Sequence, residues 1–561
     1  MRITSSSHSV VKNTIAQKAI VRKQRLTLAA MCLALGTAAL DDTVVNVALP
    51  SLQADLDMSV SQLQWILNAY LLPIACLVLP AGALGDRYSR ARIFLTGLLG
   101  FVIASIFVGF SATGQMAIAG RLLQGIGAAA LLPSSLAILS DAYPNPTERT
   151  KAIGIWSGVS GLALIVGPAL GGILVDALGW RSTFFLNVPM GAATFWLTVC
   201  ALSQKSQTQK PQSQKSQSQK SQQINSEKPQ QRRFFPLDWL GMGLSVVAIA
   251  SFITLLMANT VSLSQSLLLG CVALGSAIAF FKTEANSAYP MLPLSLFRQP
   301  TFATAFVVNA LLLFMLVSLL FLFSLFLQQV QGYSPSAAGI RFLPLNAAFI
   351  LASVISGYFS ARLGWRWTIT LGFSMAGVAV LSLSQVQFDT PFRVLVVRLT
   401  LVGFGVGFTL SPLTAAGMSS LCQQRSGMAA ALMNTSTRLG GALGIAIQGN
   451  IFTDGMKQHL AQQLSATELS PQVQAGILAE ALSHNATRPA VLMEQLALGD
   501  ASAAAMTFSE LEYLIHQAFV SGLRSVLWTG AIALFIGAGL SAAYIQSHRA
   551  KFKAKQPRER T

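Results

Sequence analysis

Hydrophobic residues fall into long blocks along this chain, separated by short polar or basic connections. The runs 93–119 and 302–327 are almost free of charge. Each is longer than the roughly 20 residues that a helix needs to cross about 30 Å of hydrocarbon. A helix buried in a soluble protein does not stay apolar on every face over such a length. The pattern therefore predicts helices that span a membrane.

Counting these blocks predicts an all-α polytopic membrane protein with about fourteen transmembrane helices. The predicted spans are 26–48, 65–84, 93–113, 117–140, 152–175, 182–202, 237–258, 264–283, 303–328, 337–359, 366–386, 392–415, 426–453 and 518–545.

Composition and charge support this interpretation. The chain is 53% hydrophobic and 10% charged, whereas soluble domains contain about 25% charged residues. The net charge of +18 could indicate nucleic acid, but about 29 of the 38 Lys and Arg lie at the termini and on one set of alternating connections. The positive-inside rule then places both termini in the cytoplasm of a cell (inner) membrane protein, which requires an even number of spans.

The connections divide the chain into six regions. A basic amino terminus (1–25) precedes a six-helix bundle (26–202), and a basic Gln-Lys-Ser linker (203–236) is predicted to be disordered and cytoplasmic. Two inserted helices (237–283) precede a second six-helix bundle (303–545) and a basic cytoplasmic tail (546–561). The similar segments 82–87 and 357–362 each place Arg five residues after Gly at a helix end, which fits two parallel repeats.

The segment 454–517 is predicted to be a longer outward loop with short helices. Thr507 and Glu510 have the spacing of a capping box before the last apolar run. Two interpretations stay open: an ordinary structured cap, or a docking surface for a partner such as a periplasmic adaptor.

Two adjacent carboxylates, Asp41 and Asp42, lie deep in the first span. A carboxylate at membrane depth costs at least about 2.5 kcal/mol unless it is protonated, paired or hydrated. Desolvation favours its neutral form and a nearby cation favours its charged form, which suits exchange of a proton for a substrate. Helical spacing places Asn46 on the face of Asp42, while Asp41 points about 100° away. The alternative is that the span starts late and both carboxylates lie at the outer interface.

Arg121 is the next charge at membrane depth, and it must find a carboxylate, carbonyl groups or water. It could tune the protonation of a nearby Asp, or it could form a structural pair or extend to the membrane surface. Arg398 and Arg438 occupy comparable positions in the second half, with the same alternatives.

Two further motifs involve glycine. The fifth span contains a run of small residues and one proline, typical of close helix packing and a kink: Gly158, Gly161, Gly167, Pro168, Gly171 and Gly172. A charged turn follows the second span, where Asp could cap the next helix or bridge to another helix end, and Arg could anchor the loop: Gly82, Asp86, Arg87, Arg90 and Arg92.

Several functional classes lack their motifs. The sequence contains no GxxxxGK[ST] loop, no HExxH and no arrangement typical of a Ser/His/Asp triad, so neither an ATP-driven pump nor an enzyme is predicted. The five cysteines form no CxxC and no Cys/His cluster, so no metal site, cofactor or disulfide framework is predicted. The polar and basic residues 1–25 do not have the pattern of a cleavable signal peptide.

Together the motifs resemble those of the fourteen-helix drug:proton antiporter branch of the major facilitator superfamily. Residues 40–50, Leu-Asp-Asp-Thr-Val-Val-Asn-Val-Ala-Leu-Pro, match its first-helix motif Leu-Asp-x-Thr-(Ile/Val)-Val-Asn-Val-Ala-Leu-Pro. Further resemblances occur at the loop signature (82–92), the fourth-helix motif (121–128), the antiporter motif (158–172), the sixth-helix entry (180–191) and the thirteenth helix (434–441).

The resemblance implies two six-helix bundles around a cavity that opens alternately to each side, and export of small lipophilic or cationic compounds in exchange for protons. It places proton coupling on Asp41, whereas helical spacing alone favours Asp42. We predict Asp41 as the main proton-coupling residue, with Asp42 as an auxiliary site, because position 42 is variable in the motif, and with Arg121 as a further proton-coupling residue. We expect the cavity to be lined by Asn46, Gln124, Asn187, Asn434 and Arg438. Ser89 stands where the loop signature usually has Gly, and Ala91 where a basic residue is usual; a turn with positive φ would tolerate Ser less well.

Two other functions remain open at this stage. The chain could carry a nutrient or metabolite, including as an importer, and accumulation in vesicles of known orientation would separate this from export. It could instead be a membrane sensor or assembly partner that does not transport, in which case Asp41→Asn should be harmless.

Overall fold

The computed structural model describes residues 4–203, 238–257, 262–287, 294–419, 426–467, 469–484 and 508–546. Within these ranges the regular structure is helical. Apart from their first residues, the predicted linker 203–236 and the tail 546–561 lie outside the described part of the chain.

Seven helices form the amino-terminal half: α1 (Thr4–Leu56), α2 (Val60–Arg87), α3 (Arg90–Gly109), α4 (Gly114–Ala142), α5 (Pro146–Leu178), α6 (Arg181–Phe185) and α7 (Asn187–Ser203). Local sequence sets several of their starts. Ser59 and Gln62 form a capping box at α2, and the Asn145 side chain caps α5, which has proline in its first turn. Helix α4 packs against α2 and α3, and α1 packs against α5 and α7.

The predicted sixth span, 182–202, is interrupted, because α6 ends at Phe185 and α7 begins at Asn187. Pro189 lacks the amide hydrogen that would continue the helical hydrogen-bond ladder back to Phe185. The amide of Leu186 donates instead to Ser182, within the short helix. This break turns Asn187 into the first residue of a new helix.

Two helices follow the linker, α8 (Trp239–Met257) and α9 (Leu263–Asn286). They pack against each other, and α8 also packs against α2 and against a helix of the second half. Ser262 and Gln265 form a capping box at the start of α9. The inserted pair therefore lies on the side of the bundle.

The second half contains α10 (Pro300–Leu325), α11 (Pro335–Arg341), α12 (Leu343–Leu363), α13 (Trp365–Leu383), α14 (Phe392–Ser419), α15 (Ser426–Leu464), α16 (Pro471–His484) and α17 (Phe508–Tyr544). A π-helical turn, Phe326–Val330, follows α10. Helix α14 packs against α12 and α13, while α15 and α17 pack against α10.

Thirteen helical segments of the described chain are long and apolar enough to cross a membrane. They coincide with all the predicted spans except 426–453, which falls on α15. That helix packs inside the bundle, but its apolar pattern is interrupted by Asn434, Arg438, Gln448, Asn450 and Asp454. The chain is a multi-pass membrane protein, and its fourteenth span stays a prediction.

The segment predicted as the outward loop 454–517 is largely helical where it is described. Helix α15 extends to Leu464, a separate helix covers Pro471–His484, and α17 begins at Phe508. The connection between long helices is thus shorter than predicted, since helices continue beyond their apolar stretch. Thr507 lies outside the described residues, so its part in the capping box stays a prediction, as does docking of a periplasmic adaptor.

Hydrogen bonds join the two halves at the end of the bundle where α1, α5 and α10 end. Ser324 donates to the Asn46 carbonyl at 2.8 Å, and Gln328 donates to the Val47 carbonyl at 3.0 Å. The backbone amide of Ser336 donates to Asp176 at 3.0 Å. These contacts close that end, because polar groups on the helices of one half are satisfied by polar groups of the other half.

Candidate functional site

Helix α1 presents two adjacent carboxylates to different neighbours. Asp41 and Asp42 lie near the middle of the apolar stretch Ile20–Leu56. Asp41 points into the amino-terminal half and Asp42 towards the second half, as expected for successive residues about 100° apart around a helix. Their depth in the membrane stays a prediction, as does the alternative position at the outer interface.

The Asp41 carboxylate is completely enclosed. Its Oδ2 accepts a hydrogen bond from Arg121 Nη1 at 2.5 Å. Its Oδ1 accepts from Gln124 Nε2 at 2.8 Å and from Asn187 Nδ2 at 2.7 Å. The side chains of Asp41 and Arg121 are 0% and 1% exposed. Three hydrogen-bond donors, one of them the positively charged guanidinium, thus satisfy a carboxylate that is buried away from water.

The surroundings of Arg121 hold its guanidinium in one place. Nε donates to the Ile66 carbonyl of α2 at 3.2 Å, and Nη1 donates to Gln124 Oε1 at 2.7 Å. The Tyr70 ring lies 4.2 Å from the guanidinium carbon, a distance suited to a cation–π contact. The alternative in which Arg121 extends to the membrane surface is wrong, because the side chain is buried and all these partners are internal.

Ser105 is a member of this site that sequence analysis did not identify. Its hydroxyl accepts from Gln124 at 2.9 Å and from Asn187 at 3.2 Å, and donates to the Phe101 carbonyl. A serine within an apolar span gives no distinctive signal, since its hydroxyl usually bonds to its own helix. The structure places Gln124 and Asn187 with Asp41, although both were expected to line the substrate cavity.

Asp42 forms a second ion pair, with Arg438 of α15. Arg438 Nη1 lies 2.6 Å from Asp42 Oδ2, and the two side chains are 18% and 22% exposed. This pair joins the two halves, whereas the pair of Asp41 lies within one half. Asp42 and Arg438 are therefore more accessible than Asp41 and Arg121.

Two amide side chains flank the second pair. Asn46, one turn along α1, donates to the Asp42 backbone carbonyl at 3.0 Å, and its Oδ1 is buried without a partner among the described residues. Asn434 lies one turn before Arg438 and is exposed, on the same face of α15. Asn46 and Asn434 thus each lie one helical turn from a member of the Asp42–Arg438 pair, and their lining of a substrate cavity stays a prediction.

Another buried amide, Asn309 of α10, was not singled out from the sequence. It donates to Ser436 at 3.2 Å and to Thr437 at 3.0 Å, fixing α10 against α15 next to Arg438. Arg398 is partly buried on α14, and its Nη1 has no hydrogen-bond partner in the described part of the chain. Arg398 therefore does not repeat the pairing of Arg121.

The glycine-rich part of α5 serves close packing at one end and not at the other. A β-carbon at Gly171 would lie 3.0 Å from Val44 Cα, and one at Gly167 would overlap Thr43. A β-carbon at Gly172 would lie 2.6 Å from Ser336 Cα in α11. Helix α11 also packs closely on the backbone of Pro168, at Gly339. In contrast, one at Gly161 would meet only Ile350 at 3.8 Å, and one at Gly158 would meet no atom within 4 Å.

The charged turn between α2 and α3 lies at the surface. Arg90 pairs with Asp141 at 2.7 Å, and Arg87 is exposed beside Tyr88. Asp86 belongs to the last turn of α2, and the N-cap position of α3 is Ser89. Capping or bridging by the Asp86 side chain stays a prediction. A β-carbon at Gly82 would have ordinary space.

Ser89 has φ −173° and ψ 123°, an extended conformation that any residue adopts. The expectation that a positive φ would disfavour Ser at this position is therefore wrong.

Sequence comparison identifies the family and several relatives of this chain. The family model described as Major Facilitator Superfamily matches residues 31–445. The chain is 33% identical over 83% of its length, and 82% of the relative, to "Multidrug resistance protein Stp" of Mycobacterium tuberculosis (strain CDC 1551 / Oshkosh). It is 29% identical, over 91% of the chain and 90% of the relative, to "Tetracenomycin C resistance and export protein" of Streptomyces glaucescens.

A solved structure has the same fold at low sequence identity. It is a bacterial homologue of the human lysosomal transporter Spinster in an inward-facing and unoccupied conformation, with a TM-score of 0.63 and 17% identity. The alignment covers 93% of this chain and 96% of that one. The family match, the sequence relatives and the all-helical two-half architecture agree, and the chain belongs to the Major Facilitator Superfamily of membrane transporters.

Proposed function

We propose that this protein is a secondary active transporter that exports small drug-like compounds in exchange for protons, by alternating access. The printed names of its relatives, which include multidrug resistance and resistance and export proteins, support export. The observation that carries the proton step is the enclosed Asp41 carboxylate, paired with Arg121 at 2.5 Å.

Protonation of Asp41 would change its contacts selectively. A neutral carboxyl group loses its electrostatic attraction to the guanidinium. Gln124 and Asn187, which donate to the other oxygen, can keep the side chain in place. Arg121 would retain the Ile66 carbonyl and the Tyr70 ring as partners. A single proton can thus loosen the contact between α1 and α4, while the guanidinium keeps neutral hydrogen-bond and cation–π partners.

Access to Asp41 requires a rearrangement, because its side chain is fully buried. Asp42, the neighbouring residue on α1, is partly exposed and connects to the other half. Movement of α1 relative to both α4 and α15 would therefore alter both pairs together. This coupling gives a physical route by which proton release and substrate binding can be linked, with Asp41 as the main proton carrier and Asp42 as the auxiliary site.

Orientation follows from the basic residues. Both termini are proposed to lie in the cytoplasm of a cell (inner) membrane, which places the closed end of the bundle, where α1 and α10 end, on the outer side. Compounds would then enter from the cytoplasm, and a proton would enter from outside.

The test is proton-driven uptake of ethidium and norfloxacin into inverted membrane vesicles, with and without a protonophore. We expect wild-type protein to accumulate a probe only when the proton gradient is present. Asp41→Asn should abolish accumulation while still allowing exchange of labelled for unlabelled probe. The matched control is Asp55→Asn, on the same helix, whose half-exposed carboxylate pairs with Arg181 and accepts a hydrogen bond from Trp180, away from the Asp41 site.

Each outcome discriminates between functions. Accumulation by Asp41→Asn equal to that of wild type would refute proton coupling at this residue. Outward movement of every probe from inverted vesicles would indicate an importer, and a well-folded wild type that moves no probe would refute export of such compounds.

A further inference from the structure

The net charge of the ionisable groups around Asp41 and Asp42 differs from the expectation based on sequence. Two neighbouring carboxylates suggest a cavity that attracts cations. In the structure each carboxylate has its own guanidinium, with Asp41 next to Arg121 and Asp42 next to Arg438. The four groups therefore sum to zero charge when all are ionised.

Only the second pair is available to a substrate. The side chains of Asp41 and Arg121 are at most 1% exposed, whereas those of Asp42 and Arg438 are 22% and 18% exposed. The residues of the second pair are separated by 396 positions in the chain and come from different halves. A compound bound between the halves would therefore meet this pair.

Unsatisfied and exposed amides lie beside the pair. Asn46 Oδ1 is buried without a partner in the described part of the chain and lies one turn from Asp42. Asn434 is exposed one turn from Arg438. A ligand with hydrogen-bonding groups near its charges could use both amides, so the surroundings suit a polar compound.

We propose, on the basis of the transport function above, that the Asp42–Arg438 pair sets charge selectivity and favours zwitterionic over singly charged compounds. A cation that takes Asp42 as its counter-ion competes with Arg438 for the carboxylate, which leaves a partly buried guanidinium with less counter-charge. A zwitterion offers a partner to both groups. A neutral compound can bind without separating the pair. The site therefore discriminates against singly charged compounds, because their binding leaves Asp42 or Arg438 without a partner.

The test compares three probes in inverted vesicles: norfloxacin, a zwitterion near neutral pH; ethidium, a permanent cation; and chloramphenicol, which is neutral. Wild type should transport norfloxacin in preference to ethidium. Arg438→Gln leaves one carboxylate and should lower the norfloxacin-to-ethidium ratio about tenfold, equivalent to about 1.4 kcal/mol. Asp42→Asn leaves one guanidinium and should raise the same ratio, because ethidium is then repelled.

Chloramphenicol transport reports general loss of function, since its rate does not depend on charge recognition. Arg181→Gln is the matched control, because it breaks an exposed pair with Asp55 at the end of α1 within one half; its ratio should equal that of wild type. For a variant that folds but does not transport, binding of the three probes to purified protein is measured by thermal shift. The norfloxacin-to-ethidium ratio of affinities then replaces the ratio of transport rates.

Two results would overturn the proposal while the transport function stands: a wild type that prefers ethidium, or changes of the same sign in Arg438→Gln and Asp42→Asn. An equal loss for all three probes in Arg438→Gln would show a structural bridge without selectivity. A wild type that moves no probe would refute the transport function itself.

Discussion

The enclosed pair of Asp41 and Arg121 predicts that removal of the guanidinium lowers the free energy of unfolding strongly, and by more than neutralisation of the carboxylate does. Arg121→Met keeps a long apolar side chain but removes the 2.5 Å contact with Asp41, the hydrogen bond to Gln124 and the one to the Ile66 carbonyl. Breaking a buried pair by removing one partner costs about 3–5 kcal/mol, since the remaining charge is uncompensated. We expect Arg121→Met to lose that much unfolding free energy.

Asp41→Asn should cost less, about 1–3 kcal/mol. Arg121 then retains Gln124 Oε1, the Ile66 carbonyl and the Tyr70 ring, so its charge is still solvated by the protein. The double variant contains neither charge. Its loss should fall below the sum of the single losses by about 2 kcal/mol, as interacting residues do in double-mutant cycles.

The assay is denaturant unfolding of purified protein in mixed micelles, followed by tryptophan fluorescence at constant pH and salt. Arg90→Met is the matched control, because it breaks a pair with Asp141 whose side chains are 33% and 64% exposed. Exposed pairs contribute about 1 kcal/mol or less. A loss in Arg121→Met no larger than that of the control, or strictly additive single losses, would refute the reasoning.

Three further changes test the packing and the loop. Gly172→Ala places a β-carbon against the backbone at the start of α11 and should weaken closure of that end, seen as faster labelling of cysteines introduced there; Gly158→Ala, with nothing within 4 Å, should have no effect. Ser89→Gly should leave transport unchanged, because φ is −173°; a clear gain in transport rate would contradict the extended geometry. Asn309→Ala removes its hydrogen bonds to the hydroxyls of α15 and should cost about 1–3 kcal/mol of unfolding free energy; an unchanged denaturation midpoint would show that these bonds contribute nothing.

Helix positions were largely predictable from sequence, because membrane spans are set by local length and apolarity. Thirteen predicted spans coincide with apolar helices of the described chain. Helix ends were less predictable: α1 and α15 continue well beyond their apolar stretches, since backbone hydrogen bonds extend a helix regardless of membrane depth. The interruption before Asn187 could have been found from Pro189, whose missing amide is visible in the sequence.

The identity of the chemical groups was also readable from sequence, but their pairing was not. Helical periodicity shows that Asp41 and Asp42 point in different directions, because each residue turns about 100°. Which helix occupies each direction depends on how α1, α4 and α15 pack, and on contacts across as many as 396 positions. Only the tertiary structure assigned Arg121 to Asp41 and Arg438 to Asp42, and brought Ser105, Gln124 and Asn187 to the first pair, since side chains distant in sequence become neighbours only when the helices are packed.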